Sequence, residues 1–267
     1  MRHRLRATLV LGLCLATPSC ETVAETGRSQ FIVPGLTPEF MAELGAEAYA
    51  EATGGHRILT GTPDAQMLQR VGRRIAAASG RDYAWEFRLL DAPDVVNAFC
   101  LPGGKIAVFT GILPICANEA GLAVVLGHEV AHATAQHGAE RLSQGILAEL
   151  VLGAAAIGLD QTEWNDETKG LVLAALGIAS TLFVLLPYSR DHETEADEIG
   201  LRFTIRAGYD PHEAPRFWER MGRLGDAGPE FLSTHPDPVA RAQRLRELIP
   251  RLVAEEQAAA RGGGRNP

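Results

Sequence analysis

The 267-residue chain has no basic stripe, no internal repeat and no uninterrupted apolar run of bilayer length. Its formal net charge is −8, and losing Arg2, Arg4 and Arg6 with the first nineteen residues takes it to −11. A surface this acidic has no electrostatic means of holding a phosphate backbone, which excludes a nucleic-acid partner. Of the apolar stretches, 146–159 and 171–186 fall short of the roughly 20 residues a spanning helix uses, and Glu149 interrupts the first. They read as helices packed in the domain or dipping into a membrane surface. Cysteine is scarce too. Cys14 lies in a leader-like segment and Cys20 just after it, leaving Cys100 and Cys116 to pair or to remain as buried thiols. Strand-like patterning stops after Thr110.

What is present is a globular composition, 46% apolar with mean hydropathy near zero. The first residues resemble a secretory leader: three arginines, a short apolar stretch over 7–16, then a small residue before Cys20. This predicts a signal peptide over 1–19, export to a periplasm, and a lipid anchor at Cys20. Glu21 is not an inner-membrane retention signal of the Asp type, which points to the outer membrane. The rest divides into a polar tether over 20–38, one folded domain over 39–255 and a disordered tail over 256–267.

Within the domain, 38–50 and 63–78 have helical patterning, with Met67, Val71 and Ile75 forming one apolar stripe. Residues 85–90, 96–101 and 105–110 alternate as strands, the last two joined by the Pro102-Gly103-Gly104 turn. Asn118 caps a helix predicted to run to about Leu142. Val124, Val125 and His128 share one side of it, and Leu122, Leu126 and Val130 another, so it is buried. Helical patterning resumes over 211–224 and 239–254. The fold class is α+β: mostly helical, with a small antiparallel sheet.

His128-Glu129-Val130-Ala131-His132 sits on that buried helix. Residues four apart lie about 40° from each other around the axis, so both imidazoles can meet one metal ion. Glu129, beside the first histidine, can reach a metal-activated water without being a ligand. Two ligands are too few for catalytic zinc. His137, placed on the same continuous helix, would lie about 180° from His128, out of reach of the ion. The run Ser189-Arg190-Asp191-His192-Glu193-Thr194-Glu195-Ala196-Asp197 offers carboxylates on a helix capped by Ser189. Its Glu193/Asp197 and Asp191/Glu195 pairs have the same spacing, so geometry alone leaves both open.

His128 to His132, Glu193 to Asp197, and Asn97-Ala98-Phe99 with Pro102-Gly103-Gly104 together resemble membrane-linked zinc peptidases, the group of the CAAX prenyl proteases and HtpX. The likeness is greatest to the Oma-type mitochondrial and Loi-type periplasmic branch, over about 36–248. It implies a zincin-like fold of the gluzincin type and one Zn²⁺ per chain held by His128, His132 and Glu193. It also implies Glu129 as catalytic base, Asp197 behind a ligand histidine and a merely structural Glu195. Substrates would be proteins or peptides, misfolded or unassembled in the envelope, bound along an edge strand at 105–110. Ser233-Thr234-His235-Pro236 resembles a further element of the family, making His235 a second catalytic candidate that would stabilise the tetrahedral intermediate or cap the zinc, and Arg241 matches a family arginine and would pair with a carboxylate near the site. No tandem helical repeats are read after these motifs, so no dedicated docking module is expected, and self-association stays open. The rival functions are a zinc-holding chaperone or assembly factor and a metal-stabilised structural lipoprotein.

Overall fold

The computed structural model describes residues 20–157, 188–224 and 230–263. The leader-like segment, the apolar stretch 171–186 and the end of the 146–159 stretch lie outside them. Among the described residues no single helix is long and apolar enough to cross a membrane.

The described residues open with a hairpin, β1 (Cys20–Thr22) and β2 (Ser29–Phe31), followed by helix α1 (Pro38–Gly54), the short strand β3 (Ile58–Leu59) and helix α2 (Pro63–Ser79). Strands β4 (Glu86–Leu90), β5 (Ala98–Leu101) and β6 (Lys105–Phe109) complete a sheet of order β3-β4-β6-β5. The β5–β6 hairpin is antiparallel, and Gly103 and Gly104 supply the positive φ angles of its turn. The β4–β6 pair is parallel, so the sheet is mixed. That pairing also corrects the edge-strand expectation. β6 is enclosed by two neighbours, and the strands on the edges are β3 and β5.

Among the described residues the remaining elements are helical: α3 (Leu113–Cys116), α4 (Glu119–Thr134), α5 (His137–Ile157), α6 (Arg190–Arg206), α7 (Glu213–Gly222), α8 (Glu230–Thr234) and α9 (Pro238–Gly263). Asn118 caps α4 by accepting from the Gly121 amide, and Ser189 caps α6 by accepting from the His192 amide. The main core lies between the sheet, α2, α4 and α6, and includes Val71, Ile75, Ile106, Leu122, Leu126 and Phe203. A second cluster around Tyr49, Phe99, Leu101 and Phe109 joins the other sheet face to α1.

Three further sequence-based expectations change. The α4 helix stops at Thr134, because Gln136 adopts φ 58° and turns the chain before His137 starts α5. Residues 20–38 are not a free tether, since β1–β2 buries Val23, Gln30 and Ile32 against the domain. The tail from 256 is helical as far as Gly263, pinned where buried Glu256 meets Arg206 and Arg202 of α6. Cys100 and Cys116 are buried, unpaired thiols.

Candidate metal centre

Helices α4 and α6 cross closely at two glycines. A β-carbon at Gly127 would sit 2.7 Å from the Gly200 carbonyl oxygen, and one at Gly200 would sit 2.7 Å from the His128 amide nitrogen. Larger residues at either position would force the helices apart. The close crossing brings the HExxH helix against the first two turns of α6, and four buried donors converge there: His128, His132, Glu193 and His235.

His128 Nε2 lies 3.0 Å from His132 Nε2 and 3.5 Å from Glu193 Oε2, and His132 Nε2 lies 3.2 Å from Glu193 Oε1. Donors about 2.1 Å from a tetrahedral ion stand about 3.4 Å apart, so two imidazoles and a carboxylate at these separations fit Zn²⁺. His235 Nδ1 is 3.2 Å from His128 Nε2 and 3.0 Å from Glu193, which puts it where a fourth donor belongs. Glu129 stands to one side. Its Oε2 accepts from the Cys100 amide of the edge strand at 3.1 Å, while Oε1 is buried without a hydrogen-bond partner, 3.4 Å from His235 Nε2. An unpartnered buried carboxylate oxygen beside a set of metal donors suits a base awaiting a water molecule.

Behind the donors, Asp197 Oδ1 lies 3.2 Å from His128 Nδ1. Arg241, itself buried, donates to Asp197 through Nε at 2.9 Å and to Glu193 through a terminal nitrogen at 2.5 Å, with its guanidinium 3.7 Å over the Trp218 ring. The expected pairing of Arg241 with a nearby carboxylate is therefore present. Burial raises the Glu129 carboxyl, and His235 and His128 only partly offset it. Burial also opposes charge on Glu193, but His235, Arg241 and His128 outweigh it and hold Glu193 well below the usual range. For His128, burial and Arg241 disfavour protonation, yet Glu193 and Asp197 raise it to about 9.

The structure gathers every sequence-nominated site residue into this one place. It adds three that the sequence reading did not nominate. Tyr188 stacks on the His132 ring at 4.0 Å, Trp218 lies under Arg241, and His137 reaches His132 because the chain turns at Gln136. The first two carry no spacing signal. His137 does, five residues beyond His132, but a continuous helix would carry it away from the site. Glu195 faces away from the donor cluster, as expected for a residue 200° round the helix from Glu193, and meets His137 and Arg28. A cavity of about 290 Å³ opens beside His132 and Cys100, walled by Met41, Tyr83, Pro102 and Tyr188 among others.

Residues 63–249 match peptidase family M48. The chain is similar to the mitochondrial metalloendopeptidase OMA1 of Schizosaccharomyces pombe, 38% identical over 82% of this chain and 64% of that protein. The Arabidopsis thaliana protein of the same name is 44% identical over 61% of this chain and 31% of its own length. The beta-barrel assembly-enhancing protease of Escherichia coli is 24% identical over 96% of this chain and 55% of that protein. The chain thus spans about a third to two thirds of the length of these relatives.

Proposed function

Because the chain belongs to peptidase family M48, we propose that it is a zinc-dependent metalloendopeptidase that cleaves misfolded or unassembled proteins of the cell envelope. The observation that carries this reading is the meeting of His128, His132 and Glu193 at ligand separations beside the unpartnered Oε1 of Glu129. In this reading those three residues hold one Zn²⁺ per chain, and Asp197 keeps the His128 ring in the tautomer that offers Nε2 to the ion. The ion, when bound, supplies an acidified water and polarises the scissile carbonyl.

Glu129 would act as the base, accepting a proton from attacking water at its unpartnered Oε1 and returning it to the departing amine. Its amide contact with Cys100 fixes the carboxylate beside the edge strand, so a peptide adding to β5 would present its backbone to the base. The adjacent cavity, walled largely by apolar groups, would receive a substrate side chain next to the cleaved bond. His235 Nδ1, beside His128 and Glu193, would either serve as a fourth donor to the ion or stabilise the tetrahedral intermediate.

We place the enzyme outside the cytoplasm, anchored through an acylated Cys20. Cys20 pairs with Phe31 in the first hairpin, so an anchor there would hold the domain at the membrane surface with no slack.

A zinc-holding assembly factor that does not cleave is the rival, and Glu129 separates the two, since a binding module has no use for the base. The test is hydrolysis of an unfolded substrate by zinc-loaded protein beside Glu129→Gln. The variant should keep its zinc and lose at least 10²–10⁴-fold in rate. Equal turnover in both proteins would remove Glu129 from the mechanism.

A further inference from the structure

His132 turns Nε2 towards the donor cluster, which leaves Nδ1 to be satisfied elsewhere. It lies 2.9 Å from Nδ1 of His137, a ring with no exposed surface. The far nitrogen of that ring, Nε2, lies 3.0 Å from Glu195 Oε2. Only one assignment of protons satisfies the whole row. If His132 gives Nε2 to a metal it carries its proton on Nδ1; His137 then accepts at Nδ1 and donates from Nε2 to the carboxylate.

Glu195 is itself held. It accepts from Thr26 Oγ1 and, at 2.6 Å, from Arg28 Nε, and both donors come from the opening hairpin. The two terminal nitrogens of Arg28 grip Glu140 at 2.9 and 2.7 Å, and Glu140 also meets His192 Nε2 at 3.0 Å. The arrangement parallels the one behind His128, where Asp197 and Arg241 form a carboxylate–arginine pair. At His132 the same kind of pair acts through one intervening imidazole.

We propose that His137 is a positioning residue that fixes the ring and tautomer of His132, with Glu195 and Arg28 holding His137 in turn. The hairpin at 20–31 is then a working part of the metal site. This rests on the zinc reading above. Outer partners of ligand histidines are worth about 10–100-fold in metal affinity, and burying the His137 imidazole is costly unless both nitrogens are partnered, as they are here by His132 and Glu195.

The experiment is a zinc competition titration of the full chain against a chromophoric chelator. It is paired with Co²⁺ absorption spectra and thermal unfolding of the metal-free proteins. His137→Leu should bind zinc about 10–100-fold more weakly and shift the Co²⁺ bands. His137→Asn, whose side-chain oxygen takes the place of Nδ1 as acceptor, should recover most of the affinity. Arg28→Met, at a half-buried site, should lose affinity in the same direction by a smaller factor. The proposal is overturned if His137→Leu or Arg28→Met binds zinc like wild type. It is equally overturned if His137→Asn is as weak as His137→Leu while the metal-free stabilities fall in parallel. A wild-type chain that takes up no zinc would overturn the metallopeptidase reading itself.

Discussion

Glu129 and Glu193 are buried carboxylates on facing helices, and their surroundings push them apart. Burial dominates at Glu129 and raises it, whereas His235, Arg241 and His128 overcome burial at Glu193 and keep it ionised. Such divergence separates a proton-accepting role from a ligand role. His235 touches both carboxylates, at 3.0 Å from Glu193 and 3.4 Å from Glu129. Pro236, which follows His235, restricts its backbone, and Asp237 next in the chain adopts φ 65°. If the imidazole competes with water, His235→Ala should raise basal cleavage of an unfolded reporter while zinc content stays at one per chain. A fall in kcat with zinc retained would instead assign His235 to transition-state stabilisation.

At the scale of elements, the crossing of α4 and α6 sets the ligand geometry, and it depends on having no side chain at Gly127 or Gly200. Gly200→Ala places a methyl group against backbone of the facing helix, where nothing can rotate away. The expected result is a protein at least about 1–3 kcal/mol less stable, with zinc affinity reduced although no ligand has changed; wild-type affinity would show that the helices tolerate separation.

Much at this scale was legible because it is local. The Asn118 and Ser189 caps, the Pro102-Gly103-Gly104 turn and the HExxH spacing each lie within a few residues, and the structure contains all of them. What was not legible lies in non-local pairing or unmarked turns. The parallel β4–β6 contact, which moves the edge from β6 to β5, joins segments separated by β5. The break before His137 occurs at a glutamine, with no glycine or proline to announce it.

For the whole molecule, the least legible feature is the opening segment. A polar stretch without periodicity reads as a tether, but its short strands gain stability from contacts about 110 to 170 residues away. Arg28 joins Glu140 of α5 to Glu195 of α6, so one guanidinium ties three elements that local patterning treats separately. This tie is electrostatic, and acid should loosen it. Burial favours the neutral carboxyls, but His192 and Arg28 hold Glu140 at about 2, and His137, Thr26 and Arg28 hold Glu195 at about 2. Both folded values lie below the ordinary 4.5. Their contribution is therefore complete above about pH 4.5 and is lost as the pH falls towards 2. Metal-free protein should show a falling melting temperature across that window. Glu140→Gln should melt lower at pH 6 yet change less between pH 4.5 and 2, because it no longer takes up that proton on unfolding. An identical pH slope in the variant would mean that the Arg28 link does not couple the hairpin to the stability of the fold.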